Sequence, residues 1–321
     1  MKAMLQDVYG PPEVLHLGDT EEPSLESGDV LVQVRAAGVD RGTAHLMRGE
    51  PYLMRVIGFG FRGPKNPVPG HDVAGTVAQV GSDVTEFQIG DDVFGIAKGS
   101  FAEYATARPD KLVRKPAGLT FEEAAVVPVS ATTAMHGLRG VGRVTAGQRV
   151  LIIGASGGVG TYAVQIAKAL GARVTGVCST TKVDLVRSIG ADEVIDYTQR
   201  DFADGAQRYD LILDTGGNSR ISRLRRALTP KGTLVIVGGE VGKWIGIGRQ
   251  LRAVALSPLI PQRLAMFVNQ ERHEDLEAVR QLIESGQVTP IVDETYPLAE
   301  VPDALRHLEA GQARGKIAIS L

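Results

Sequence analysis

The residues best suited to chemistry form a glycine turn at positions 154–160. Residues 150–153, VLII, are an apolar run that leads into GASGGVG, and apolar residues then recur at helical spacing as far as residue 170. Where such a turn lacks side chains, backbone N–H groups and the N-terminus of the helix can approach a pyrophosphate. The strand, turn and helix together predict a dinucleotide site, although Ala155 replaces the first glycine of the usual fingerprint. The predicted contacts are Ser156, Gly157, Gly158, Val159 and Gly160.

The end of the next predicted strand indicates which dinucleotide is bound. In domains that prefer NADH, an acidic residue about twenty positions after the turn grips the ribose 2′-hydroxyl. This chain has Ser179 and Lys182 there, and their hydroxyl and ammonium groups suit a 2′-phosphate. The nearest carboxylate, that of Asp184, is predicted to close a capping box with Thr181 and to face its own helix. We therefore expect NADPH as the cofactor, and Tyr197 either packs against its adenosine end or belongs to the core.

The composition limits the binding partners and the cellular compartment that this protein can be expected to have. The formal net charge of -2 supplies no basic field for nucleic acid. Cys178 is the only cysteine, which excludes an intrachain disulfide and zinc sites of three or four cysteines. Residues 1–10 lack the apolar run of a signal peptide, so we expect a cytoplasmic protein. The apolar stretch at 244–267 contains three arginines and two prolines, which indicates core, subunit interface or a substrate lid rather than a membrane span.

Two sequence patterns along the chain predict the elements that position these residues. From residue 1 to about 119, short alternating segments punctuated by glycine and proline indicate an irregular, mostly β domain. From residue 146 onward, apolar strands alternate with helical periods, which is typical of βαβ units in a parallel sheet. The predicted strands of this sheet cover residues 149–153, 173–178, 193–196, 210–214, 233–237 and 263–268.

These patterns predict an α/β protein of two domains. The parallel strands complete one doubly wound Rossmann sheet, which we assign to residues 123–286, with its last helix at 274–284. The mostly β domain covers residues 1–122 and is completed by residues 287–321, where short strands and turns return. A chain of 321 residues is long enough for two domains with separate cores.

Further motifs lie outside the glycine turn. They are AGVD at 37–40, VPGHDVAG at 68–75, GDDVFG at 90–95, GSFAEY at 99–104, ATTA at 131–134 and GK at 315–316. Together with the turn they resemble the medium-chain dehydrogenase/reductase superfamily, specifically its zinc-free quinone oxidoreductase branch, and residues 47–67 look like those of the reticulon-interacting-protein subgroup. The resemblance implies a GroES-like catalytic domain, a homodimer, and an oxidoreductase that uses NADPH to reduce a quinone or an α,β-unsaturated carbonyl. It also implies cofactor contacts from Thr133, beside the nicotinamide and at the start of a helix, and from Gly238 and Lys316.

The same resemblance indicates that the zinc sites are missing. A zinc alcohol dehydrogenase would carry a cysteine at Asp40, a histidine at His71 and a third ligand near Ser130, and only His71 matches. The four-cysteine lobe expected after Phe94 is reduced to residues 95–99. We therefore expect no bound metal. Without a Lewis acid, a conjugated acceptor is easier to reduce than a simple carbonyl, because it delocalises the incoming charge.

The predicted catalytic residues are Asp40, Tyr52 and His71, with His45 as a further donor. Asp40 departs from the asparagine usual in this branch, and a carboxylate would repel a developing enolate unless burial protonates it. Tyr52 could equally be a loop residue that serves packing rather than catalysis. His71 could equally be a histidine that only forms hydrogen bonds within the cleft. Two other functions stay open: a broad carbonyl or alcohol dehydrogenase that recruits a weak metal at Asp40 and His71, and an NADPH-binding sensor with little turnover.

Overall fold

The computed structural model of this chain describes residues 1–53, 55–56, 60–217, 219–237 and 248–321. It divides into two compact units. Unit 1 comprises Met1–Thr132, Glu271–Glu284 and Pro290–Leu321, and unit 2 comprises Thr133–Gln270 and Ser285–Thr289. The helix predicted at 274–284 groups with unit 1, although it was predicted to be the last helix of the Rossmann domain. The predicted domain boundaries themselves stay a prediction.

The described residues form the following elements. The strands are β1 (Lys2–Gln6), β2 (Leu15–Asp19), β3 (Val30–Val39), β4 (Asp72–Val80), β5 (Asp92–Ile96), β6 (Tyr104–Ala107), β7 (Leu112–Arg114), β8 (Arg149–Ile153), β9 (Arg173–Cys178), β10 (Glu193–Asp196), β11 (Tyr209–Asp214), β12 (Leu228–Ile236), β13 (Arg263–Met266), β14 (Val292–Pro297) and β15 (Lys316–Ser320). The α-helices are α1 (Arg41–Arg48), α2 (Phe121–Ala125), α3 (Pro128–Met135), α4 (Gly158–Ala169), α5 (Val183–Ser188), α6 (Ile221–Ala227), α7 (Gly248–Leu256), α8 (His273–Glu284) and α9 (Val301–Glu309). A π-helix at His136–Gly142 continues α3.

Unit 1 is built on a sheet with the strand order β14-β15-β3-β4-β5-β7, to which β6 adds by pairing with β3. The strands pair antiparallel apart from β14 and β15, which run parallel. Val30, Val32 and Val34 of β3 point into the same apolar cluster, as an alternating strand requires. The prediction of a GroES-like, mostly β domain is confirmed for this part of the chain. The helix α9 differs from the prediction, which has only short strands and turns in this part of the chain.

Unit 2 contains a fully parallel sheet with the order β10-β9-β8-β11-β12-β13. This is the order of a doubly wound dinucleotide-binding sheet, which changes direction between β8 and β11. The prediction of a Rossmann sheet is therefore confirmed. The bounds of β8, β9 and β10 agree with the prediction, whereas β12 begins earlier, at Leu228, and β13 already ends at Met266.

The apolar stretch at 244–267 contributes α7 and β13 at the edge of this sheet, in the part of the stretch from residue 248 onward. In the described ranges, the structure has no helix that is both long and apolar enough to cross a membrane.

Candidate functional site

The glycine turn lies between β8 and α4, at the carboxyl end of a strand where the sheet changes direction. Open α/β sheets bind their ligands at this switch point. Gly157 is the N-cap of α4, and Gly158, Val159 and Gly160 begin the helix. The N–H groups of a first helical turn have no acceptor within the helix, so they are available to an anion.

Two glycines of this turn have different surroundings. A Cβ at Gly160 would lie 2.0 Å from the carbonyl oxygen of Gly154, so the strand and helix can meet only because this position has no side chain. Among the described residues, a Cβ at Gly157 would have only that same oxygen within 4 Å, at 3.5 Å. The space beside Gly157 is therefore open, as a pyrophosphate-binding turn requires. Ser156 is buried beside it.

The residues predicted to hold a 2′-phosphate lie just past β9. Ser179 precedes a 3₁₀ turn at Thr180–Lys182, and α5 begins directly afterwards. The predicted capping box of Thr181 and Asp184 is wrong, because the 3₁₀ turn places Thr181 inside a turn rather than at the start of α5. Asp184 instead pairs with Arg187 at 3.2 Å and is 99% exposed.

Sequence reasoning missed a carboxylate at this edge. Asp196 ends β10 and lies opposite Cys178 of β9. Its oxygens accept hydrogen bonds from the hydroxyls of Thr180 at 2.6 Å and Thr198 at 2.8 Å, and the bond from Thr180 lowers the pKa of Asp196. The acidic end of the predicted strand 193–196 was the available signal. Tyr197 follows it and is 59% exposed, so the alternative that it belongs to the core is wrong.

The single cysteine lies beneath the same strand end. Cys178 is 2% exposed. Burial, with the charge of Asp196 adding to the effect and that of Lys182 opposing it, raises the pKa of this thiol to about 11. The thiol is therefore protonated at neutral pH.

Thr133 lies in unit 2, near the carboxyl ends of β12 and β13. It is buried, and its hydroxyl accepts a hydrogen bond from the amide of Asn269 at 3.0 Å. It lies within α3 rather than at the start of a helix, because α3 already begins at Pro128. The predicted cofactor contact Gly238 falls outside the described residues.

A buried ion pair beside the turn was also missed. Asp214 ends β11 and is 0% exposed. Arg249 of α7 donates to Oδ2 of Asp214 and, at 2.7 Å, to the carbonyl of Gly217, whose N–H donates to Oδ1 at 3.1 Å. These contacts tie α7 to the carboxyl end of β11. An aspartate directly after the apolar run was visible in the sequence, but its partner was not.

In unit 1, Asp40 caps α1. Its Oδ1 accepts a hydrogen bond from the N–H of Thr43 at 2.8 Å, and the carboxylate is nearly buried. An N-cap aspartate satisfies a helix N–H that has no other acceptor. The structure thus gives Asp40 a structural task, and its catalytic role stays a prediction.

His71 belongs to a group of ionisable side chains, of which only His71 and Asp40 were predicted as site residues. Burial raises the pKa of Glu271, and the charges of Lys111 and His71 oppose this effect while that of Asp40 adds to it. The ammonium of Lys111 also donates to the carbonyl of Glu271 at 2.7 Å. Unit 1 therefore brings Asp40 and His71 near Lys111 and Glu271, which sequence reasoning did not consider because Glu271 is remote along the chain.

Tyr52 lies in an aromatic cluster with a cation at its centre. The guanidinium of Arg55 lies 4.7 Å from the ring centroid of Tyr52 and 4.5 Å from that of Tyr9. Such cation–π contacts stabilise a loop without any catalytic demand. His45 lies in α1, where its carbonyl accepts the N–H of Glu50 at 3.0 Å. The proton-donor roles of Tyr52 and His45 stay predictions.

Lys316 forms a buried ion pair with Asp72. The two charged atoms are 3.2 Å apart, and the side chains are 2% and 0% exposed. The other oxygen of Asp72 accepts the N–H of Val129 at 2.8 Å. Burial raises the pKa of Asp72 to about 7, against the charge of Lys316. The cofactor contact of Lys316 stays a prediction, and Asp72 is the partner that the structure gives it.

Comparison with known proteins covers both parts of the chain. Residues 26–117 match the alcohol dehydrogenase GroES-like domain, and residues 189–319 match a family described as zinc-binding dehydrogenase. The mitochondrial NAD(P)H oxidoreductase RTN4IP1 of Mus musculus is 32% identical, over 100% of this chain and 89% of the relative. The chloroplastic NADPH-dependent alkenal/one oxidoreductase of Arabidopsis thaliana is 32% identical, over 99% and 79%. The structure of Escherichia coli quinone oxidoreductase complexed with NADPH matches with a TM-score of 0.86 at 25% identity, over 100% of both chains.

The chain belongs to the medium-chain dehydrogenase/reductase superfamily. The predicted resemblance to its quinone oxidoreductase branch is confirmed by these relatives. Asp40 stands where a zinc alcohol dehydrogenase would carry a cysteine, and it caps α1. Within the described ranges, no three or more His, Cys, Asp or Glu side chains form a group that could hold a metal ion. A zinc-free enzyme stays a prediction.

Proposed function

We propose that this medium-chain dehydrogenase/reductase is an NADPH-dependent oxidoreductase that transfers a hydride to a quinone or an α,β-unsaturated carbonyl. The observation that carries the proposal is the glycine turn at the switch point of the parallel sheet, where Gly157 leaves room for a pyrophosphate. The relatives support the choice of chemistry, since one is an NADPH-dependent alkenal/one oxidoreductase and another a quinone oxidoreductase complexed with NADPH.

The described residues of unit 2 fit this cofactor. The first N–H groups of α4 would hold the pyrophosphate, and Ser179 and Lys182 would hold the 2′-phosphate. Asp196 is the nearby carboxylate, and bonds from Thr180 and Thr198 already occupy its oxygens. When bound, NADPH supplies the hydride.

The substrate-side residues belong to unit 1. Reduction of an enone adds a hydride to the β-carbon and leaves an enolate, which a hydrogen-bond donor stabilises and a proton then quenches. His71 and Tyr52 are the proposed donors. Asp40 would oppose the enolate if ionised, and its hydrogen bond from Thr43 directs the carboxylate toward the helix instead.

The role of Tyr52 can be tested by Tyr52→Phe. If the phenol donates to the reduced acceptor, kcat should fall about tenfold or more while the Kd for NADPH changes little, because the cofactor contacts are on other residues. Single-turnover kinetics and calorimetry measure the two quantities. An unchanged kcat would reject the donor role and favour a packing role for Tyr52, such as its contact with Arg55.

The proposed function is tested by following NADPH oxidation across a panel of quinones and enones, with ethanol and NADP⁺ as the comparison. Conjugated acceptors should be reduced and ethanol should not be oxidised, since a site without a Lewis acid stabilises a delocalised anion better than an alkoxide. Ethanol oxidation without added metal would favour the dehydrogenase alternative. Tight NADPH binding with no turnover of any acceptor would favour the sensor.

We also propose a homodimer formed through the edge of the Rossmann sheet. The edge strand is β13, and the helix packed against it exposes Leu251 (51%) and Val254 (43%), followed by Leu259 (79%). An exposed apolar surface of this kind commonly marks an interface. Light scattering should give twice the chain mass of 34.1 kDa, and Leu259→Glu should shift the protein toward monomer.

A cytoplasmic location is likewise proposed, and cell fractionation tests it.

A further inference from the structure

A small pocket opens at the carboxyl ends of β12 and β13. Its volume is about 290 Å³, at the small end for ligand pockets, so it suits a single ring rather than a whole dinucleotide. The described residues that line it are mostly apolar and include three with uncharged polar side chains, Thr133, Gln250 and Asn269. The other lining residues are Ile236, Val237, Met266, Phe267 and Val268. All of these residues belong to unit 2.

One polar side chain of this lining lacks the partner that its burial demands. Gln250 of α7 is 7% exposed, and its Oε1 has no hydrogen-bond partner within the part of the chain that the structure describes. Thr133 and Asn269, in contrast, bond to each other at 3.0 Å. A buried acceptor without a donor is destabilising, so Oε1 is placed to receive an N–H or O–H from a bound molecule.

The chemistry of the lining limits what that molecule is. Among the described residues, no carboxylate lines the pocket, so these residues offer no partner to a cation and a neutral N–H or O–H donor suits Oε1 better. A quinone or an enone offers only acceptor oxygens and cannot satisfy Oε1. A dinucleotide carries two amino groups, one on adenine and one on the carboxamide of nicotinamide. Ser179 and Lys182, the residues proposed to hold the 2′-phosphate, follow β9, which lies on the opposite side of β8 from β12 and β13. With the adenosine end there, the nicotinamide is the group that extends toward β12 and β13.

The spacing of the strands agrees with this placement. β12 lies two strand positions from β8, which corresponds to about 10 Å. The ribose and base of one nucleotide can bridge that span from a pyrophosphate at the glycine turn.

We propose that Gln250 accepts a hydrogen bond from the carboxamide NH₂ of the nicotinamide and thereby selects the intact nicotinamide ring. This inference rests on the proposed function, because it needs NADPH at the glycine turn. Gln250 acts here in binding and orientation, and the hydride transfer itself requires nothing of it.

The test compares NADPH with its 3-acetylpyridine analogue, whose methyl ketone keeps the carbonyl oxygen and lacks the NH₂ group. Calorimetry should show that the wild type binds NADPH about fivefold to tenfold more tightly than the analogue, as one buried neutral hydrogen bond allows. In Gln250→Leu this ratio of Kd values should fall to about one. Gln281→Leu, at an exposed glutamine of α8, is the matched control and should keep the wild-type ratio.

A thermal melt of each variant establishes that it is folded, and Gln250→Met, with its similar shape, replaces Gln250→Leu if the latter unfolds. An unchanged ratio in the folded variant, with NADPH bound tightly, would overturn the role of Gln250 alone. Failure of the wild type to bind NADPH at all would instead overturn the proposed function, and this inference with it.

Discussion

At the scale of single residues, we expect substitution of Gly157 to affect NADPH binding and substitution of Gly160 to affect stability. Alanine at Gly157 projects its Cβ into the space proposed for the pyrophosphate, and the backbone there, with φ of -85°, accepts alanine without strain. Gly157→Ala should therefore raise the Kd for NADPH about tenfold or more while the Tm stays near that of the wild type.

Gly160→Ala is the matched control with the opposite outcome. Its Cβ would lie 2.0 Å from a backbone oxygen, so the Tm should fall by several degrees. Calorimetry and thermal unfolding measure both variants. A Gly157→Ala protein that binds NADPH as the wild type does would show that the space at this turn does not hold the pyrophosphate.

The sequence made the glycine turn predictable because its strand, turn and helix are contiguous. The charged pairs were not predictable by that route. Lys316 and Asp72 are 244 positions apart, and Arg249 and Asp214 are 35 apart, so only the tertiary fold brings them together. Asp40 could have been predicted as a cap from the sequence, since aspartate is among the residues preferred at a helix N-cap.

At the scale of elements, one ion pair joins three strands of unit 1. Asp72 of β4 and Lys316 of β15 are on the two strands that flank the central strand β3, and Gly38 of β3 is the residue paired with Asp72. A Cβ at Gly38 would lie 2.8 Å from the Cβ of Asp72 and 2.5 Å from the carbonyl oxygen of Ala125. The absence of a side chain at Gly38 therefore allows the pair to form within the sheet.

This pair should make stability depend on pH in a defined direction. Burial raises the pKa of Asp72 from 3.8 to about 7 in the folded chain, so between these values the folded state keeps a proton that the unfolded chain has released. The stabilising contribution is fully present below about pH 4 and is lost as the pH rises through 7, by at most about 1.4 kcal/mol per pH unit.

Asp72→Asn removes the titrating group and is the comparison for this prediction. The free energy of unfolding of the wild type, relative to Asp72→Asn, should decrease from pH 4 to 7 and be level above that range. Urea titrations at several pH values measure the difference. A difference that is constant from pH 4 to 7 would contradict the prediction.

Secondary structure was predictable where the pattern was local and unambiguous. Strands β8, β9 and β10 are short apolar runs with polar or turn residues on both sides, and their bounds agree with the prediction. The helix α9 was missed although its buried residues Val301, Ala304 and Leu305 recur at helical spacing. Pro302 at its start is also typical of a helix N-terminus. The sequence therefore contains the signal for this helix.

At the scale of the whole molecule, the predicted absence of zinc can be measured directly. Purified protein should contain no stoichiometric zinc, and reduction of a quinone or enone should survive incubation with a chelator, because the cysteine ligands of both family zinc sites are missing from the sequence. Elemental analysis and assays before and after chelation provide the measurement. One tightly held metal ion per chain, with activity lost on its removal, would require a dehydrogenase that uses Asp40 and His71.

The whole chain contains one thiol, and its environment bears on how the enzyme survives its own substrates. Enones and quinones alkylate thiolates, and a thiol with a pKa of about 11 is ionised in only about one molecule in ten thousand at pH 7. Cys178 is also 2% exposed. The native protein should therefore resist self-inactivation by these electrophiles. Mass spectrometry should find no adduct after incubation with an enone or with N-ethylmaleimide until urea exposes the thiol, and an adduct on the native protein would contradict this protection.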